Sequence, residues 1–96
     1  MFLIHVHYKK SLDEVDKHIA DHSDFLDRQY ANKKFILSGR RNPRTGGIIM
    51  AYNCDRNELE KIVAQDPFYV HQIAEYEIIE FTPTKYDEAL KAFIKQ

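Results

Sequence analysis

Two ionisable residues stand where helical stripes call for apolar ones. After Ser11, the residues Leu12, Val15, Ile19, His22, Leu26 and Tyr30 recur at steps of three and four, with Phe25 widening the stripe. That spacing marks one face of an amphipathic helix, and His22 is its misfit. In a second helical stretch Leu59, Ile62, Val63 and Asp66 fall at i, i+3, i+4 and i+7, and here Asp66 is the misfit. Pro67 stops that helix and pushes Asp66 away from helical geometry, while Phe68 is placed to wall a cavity. Taken singly, His22 reads as a core histidine with one hydrogen-bond partner, and Asp66 as the opening of a turn. Together they enter the same space between helices and sheet. A carboxylate that accepts from one imidazole nitrogen fixes the tautomer and raises the basicity of the other, which is how a general acid/base is built. A structural hydrogen bond is the plainer version of the same pair.

Other polar residues gather near the second strand. Ser38 and the backbone N–H of Gly39 can each supply a hydrogen bond, and Arg40 and Arg44 a positive charge. The run Arg40-Arg41-Asn42-Pro43-Arg44-Thr45-Gly46 joins two strands by a loop longer than the usual two to five residues. It reads either as a solvated basic turn or as an anion-binding flap over the site. His5 and His7 form an H-x-H, a spacing that can hold a metal, but no second ligand pair follows and no metal is expected. Tyr8, Tyr52 and Tyr76 could donate hydroxyls to a pocket and read more simply as packing. There is no glycine-rich phosphate motif, so no nucleotide or other cofactor is expected.

The 96 residues read as a single domain, 1–96. Lys and Arg number 14 against 15 Asp and Glu, so the charge is close to neutral and no nucleic-acid partner is expected. One cysteine, Cys54, rules out an internal disulfide framework and fits a reducing cytoplasm. The opening residues lack a basic n-region and a long apolar run, so neither a signal peptide nor a membrane span is expected.

The elements follow from periodicity. Residues 2–8 alternate as a strand, and Ser11-Leu12-Asp13-Glu14 is a capping box opening the first helix, with Asn32 as its left-handed C-cap. Phe35–Gly39 and Gly47–Tyr52 read as the second and third strands. Asp55 caps the second helix, Ala74–Thr82 is a fourth strand, and Thr84-Lys85-Tyr86-Asp87 opens a short amphipathic helix reaching Ile94. This β-α-β-β-α-β order is the α+β ferredoxin-like arrangement, an antiparallel sheet with two helices on one face plus a C-terminal helix. Most strands carry apolar residues on both faces, more than one helical layer covers, so a homodimer through the bare face is expected.

The order of His22, Ser38-Gly39 and Asp66-Pro67-Phe68 resembles the YCII-related family, with the likeness running from the first strand to Thr82. The resemblance implies a ferredoxin-like subunit of a dimeric α+β barrel and a His–Asp active site falling on His22 and Asp66. One branch resembles a dehydrochlorinase of chlorinated hydroxyhydroquinones, which implies proton transfer by that pair. The expected function is a small cofactor-independent enzyme for elimination, isomerisation or proton abstraction on a small anionic or phenolic molecule. His22 and Asp66 would be catalytic, and Ser38, Gly39, Arg40, Arg44 and Phe68 would bind substrate. The rival expectations are a ligand-binding homodimer without turnover, and an imidazole that accepts a phosphoryl group.

Overall fold

A computed structural model describes residues 1–94 of the chain. The elements run β1 (Phe2–Tyr8), α1 (Leu12–Lys17), α2 (Ile19–Ala31), β2 (Phe35–Arg40), β3 (Gly46–Ala51), α3 (Arg56–Val63), α4 (Pro67–Val70) and β4 (Ala74–Glu80), with a closing 3-10 helix at Glu88–Phe93. The four strands form one antiparallel sheet in the order β2-β3-β1-β4. This is the α+β ferredoxin-like arrangement. None of the helices is long and apolar enough to cross a membrane among the described residues.

Strand alternation divides the sheet into two unlike faces. Phe2, Ile4 and Val6 of β1, Ile49 and Ala51 of β3, and Phe35 of β2 point into the core. There they meet Val15 and Phe25 from the first helical segment and Leu59, Ile62, Val63 and Phe68 from the second. On the opposite face, register lines up Leu37, Met50, Leu3 and Ile79 as an apolar row across all four strands. Leu37 and Ile79 are about half exposed, at 52% and 45%.

Gly46 shows why the β3–β1 seam needs its glycine. A Cβ there would lie 1.9 Å from the Val6 carbonyl oxygen and 3.0 Å from the Val6 carbonyl carbon, both backbone atoms that have nowhere to retreat. Gly46→Ala is therefore expected to cost about 3 kcal/mol of stability, read as a lower urea midpoint at unchanged m. A midpoint within experimental error of the parent would overturn that reading.

The first helical stretch is not continuous. It breaks at His18, whose N–H closes a short turn on Val15 O before His22 N–H resumes on His18 O. Behind the break the buried line passes through Phe25 and Gln29, so Leu12 and Ile19 of the expected stripe lie exposed. Ser11 does cap α1 by accepting from Glu14 N–H, but the Glu14 carboxylate takes Lys17 Nζ at 2.8 Å instead of reaching back. Nor does Asn32 adopt the left-handed conformation; Lys33 does, with φ 61°. The β2–β3 connection is Arg41–Thr45, five residues and not seven, because Arg40 and Gly46 belong to the strands. The last helix is of the 3-10 type, capped by Asp87 accepting from Ala89 N–H.

Candidate functional site

Asp66 is the residue around which the site is built. It does not end α3, which stops at Val63, but N-caps the separate short helix α4, with Pro67 in the first helical position that suits proline. Its carboxylate is fully buried. Oδ1 accepts from His22 Nδ1 at 2.8 Å and from the Phe68 backbone N–H at 3.0 Å, and Oδ2 accepts from the Tyr76 hydroxyl. Three elements thus converge on one carboxylate: α2 through His22, α4 through Phe68 and β4 through Tyr76. This dense satisfaction is what lets a carboxylate sit in a dry core. Burial and the adjacent Asp66 carboxylate push the Tyr76 phenol well above its ordinary value, which keeps it a donor.

Phe68 holds the imidazole from its other side. The His22 and Phe68 rings stack with centroids 4.0 Å apart and planes 3° from parallel. With Nδ1 committed to Asp66, Nε2 is the nitrogen left for a ligand. His22 lines a cavity of about 380 Å³, a size suited to a small molecule, together with Tyr8, Ser38, Gly39, Arg40, Arg44 and Phe68. Of the residues expected to be catalytic or to bind substrate, all but Asp66 therefore border one space, and Asp66 lies directly behind His22. A second cavity of about 460 Å³, bordered by Tyr52, Cys54, Asp55 and Phe93, has no imidazole or guanidinium in its wall.

The polar rim is less uniform than the arginine-rich sequence suggests. Arg44 Nη2 donates to Asp16 Oδ1 at 2.6 Å, tying the hairpin loop to α1. That bond, with smaller help from Tyr8, holds the Arg44 guanidinium above its ordinary value. Arg40 makes no side-chain hydrogen bond or ion pair among the described residues. Ser38 Oγ is engaged with the Tyr30 hydroxyl at 2.6 Å. Asp16 is the member that the sequence leaves unassigned, and Tyr76, which reads more simply as packing, donates its hydroxyl to Asp66. The signal for Tyr76 was its alternation with Ile78, which puts it on the inner face beside Val6; Asp16 gives no comparable sign.

On the outer face of the sheet, His5, His7 and Glu77 come together as potential metal ligands. Burial, His7 and the Arg41 guanidinium hold the His5 imidazole below its ordinary value, against a smaller opposing effect of Glu77.

The YCII-related domain model matches residues 1–82, most of the chain. The chain belongs to the YCII-related family. Among solved structures, this YCII-related chain is similar to the 5-chloro-2-hydroxyhydroquinone dehydrochlorinase of Burkholderia phenoliruptrix in complex with 2,5-dihydroxybenzoquinone. The two share 20% sequence identity at a TM-score of 0.73, over 83% of this chain and 91% of the other. At that identity the likeness shows a common fold. No curated protein gives a significant match.

Proposed function

We propose that this YCII-related protein is a small acid–base enzyme in which His22 moves the proton and Asp66 orients it. The single observation that carries this reading is the 2.8 Å bond from His22 Nδ1 to a fully buried Asp66, placed in the wall of a cavity of about 380 Å³. Asp66 holds the Nδ1–H tautomer, so Nε2 presents its lone pair to the ligand. Proton removal from a hydroxyl or an activated C–H would then lead to loss of a leaving group or to reprotonation elsewhere. Needing only proton transfers, such steps call for no cofactor. Arg40, and Arg44 where its Asp16 bond yields, would balance the charge of an anionic or phenolic ligand. Ser38 and Gly39 would border it and Phe68 would fix the imidazole plane. The dehydrochlorinase neighbour makes hydroxylated, halogenated aromatics the first compounds to try.

The working form we infer is a cytoplasmic homodimer, paired through the outer row Leu37, Met50, Leu3 and Ile79. The free thiol of Cys54 fits a reducing compartment. Sedimentation should show a two-chain species that Leu37→Glu dissociates; a monomer at high concentration would remove this part of the reading.

The enzymatic part is tested by incubating the protein with a panel of hydroxylated and halogenated aromatics while following substrate loss. At least one compound should be consumed by the parent and spared by His22→Ala. Undiminished consumption by the variant would sink the acid–base assignment. Saturable binding with no consumption across the panel would favour the non-catalytic homodimer.

A further inference from the structure

A second constellation lies on the face of the sheet turned away from His22. Alternation along β1 puts His5 and His7 on that outer face, and antiparallel register sets Glu77 of β4 opposite His5 and Glu75 opposite His7. The two imidazole rings lie 3.7 Å apart, centroid to centroid, tilted by 42°. Glu77 Oε1 is 3.8 Å from His5 Nδ1 and 3.9 Å from His7 Nε2. One donor atom from each residue falls within 4.8 Å of the others.

We propose that His5, His7 and Glu77 form a binding site for a divalent transition-metal ion of the zinc type. Two imidazoles and one carboxylate are a donor set that such ions favour over calcium or magnesium, and three protein ligands leave a position for water. A tetrahedral zinc with bonds of about 2.0–2.1 Å spaces its ligand atoms about 3.4 Å apart. The two separations to Glu77 therefore need to close by about half an ångström, which the exposed Glu77 side chain supplies by a small rotation. The two imidazole nitrogens, within 4.8 Å of each other, need ring rotations to reach the same spacing.

Arg41 opposes the ion and makes the proposal discriminating. Its Nη1 lies 3.2 Å from His5 Nε2 and donates to it, so a neutral His5 carries its proton on Nδ1, the atom the metal needs. Binding requires His5 to change tautomer and Arg41 to release Nε2, and the guanidinium charge works against the cation throughout. Removing Arg41 should tighten binding. A plain polar cluster gives no reason to expect that. The site belongs to one chain and does not depend on the homodimer; in a pair, two copies would sit within the interface at the same ratio of ion to chain.

The test is calorimetric titration of the full chain with zinc chloride, repeated with cobalt(II), whose visible absorption reports nitrogen and oxygen ligation. One ion per chain is expected. His5→Gln, His7→Ala and Glu77→Gln should each weaken binding about tenfold or more, since even outer-shell losses cost about 10–100-fold. Arg41→Ala should strengthen it severalfold, and His22→Ala should leave it unchanged. Parental far-UV circular dichroism in His7→Ala, whose side chain is already 41% exposed, keeps its loss of binding informative. The proposal is overturned if the zinc heat survives in His5→Gln and His7→Ala, if it is lost instead in His18→Ala or His71→Ala at the stacked pair on the helical side, or if Arg41→Ala weakens binding.

Discussion

Asp66→Ala is expected to lower the unfolding free energy by about 3–5 kcal/mol, the range for deleting one partner of a buried polar network. The substitution removes the acceptor for three donors at once: His22 Nδ1–H, Phe68 N–H and Tyr76 O–H. It also strips α4 of its N-cap, a loss worth about 1 kcal/mol within that total. None of the three donors sits where water reaches easily, because the carboxylate they surround is wholly enclosed. For a domain whose entire stability is about 5–15 kcal/mol, such a loss leaves a substantial unfolded fraction. Urea unfolding followed by circular dichroism measures it. Asp66→Asn, which keeps the shape and one acceptor oxygen, should retain part of the difference. A loss below about 0.5 kcal/mol, the range typical of unremarkable surface changes, would contradict the geometry.

His22→Ala should act on rate far more than on stability. The imidazole borders the cavity, so its removal enlarges an existing space and leaves Asp66 Oδ1 with the Phe68 N–H as its remaining donor. On a compound that the parent consumes, kcat should fall about 10²–10⁴-fold, the usual contribution of a positioned acid or base, with KM changing much less. If His22 and Asp66 work as a unit, His22→Ala/Asp66→Asn should be no slower than His22→Ala alone. Losses that multiplied in the double variant would show independent roles. Single-turnover kinetics on folded fractions of matched concentration separate this effect from the stability loss.

Much of the fold was legible because it rests on local rules. Period-two alternation marked β1 and placed Phe2, Ile4 and Val6 on one face, where they are buried. Asp55 caps as its spacing implied, whereas the closing helix starts at Glu88 under Asp87 and not at the Thr84 pattern. Leu59, Ile62, Val63 and Asp66 are indeed an inward line. Two of the failures involve residues far apart in the chain. At the break His18 stacks on His71, 53 positions away, a contact that no helical period encodes. That break turns Leu12 and Ile19 outward and gives the core Gln29. Asp66 looked like the end of a stripe because its side chain does point inward; that it opens a new helix is a local signal, an N-cap followed by proline, that the stripe concealed. The bond between Arg44 and Asp16, 28 positions apart, is invisible to any local rule and changes which arginine remains uncommitted. Long-range pairing was therefore the larger part of the missing information, beside local misses in cap chemistry at Glu14, which takes Lys17, and at Asn32, whose left-handed place Lys33 holds.

The shared oxygen Oδ1 of Asp66 has a last consequence. It accepts both the Phe68 amide and His22 Nδ1, so the backbone hydrogen and the imidazole hydrogen have a common anchor. Exchange of the Phe68 amide with deuterated solvent consequently reports withdrawal of the carboxylate that orients His22. The chain carries its own spectator of site integrity, readable by nuclear magnetic resonance with no ligand in the tube.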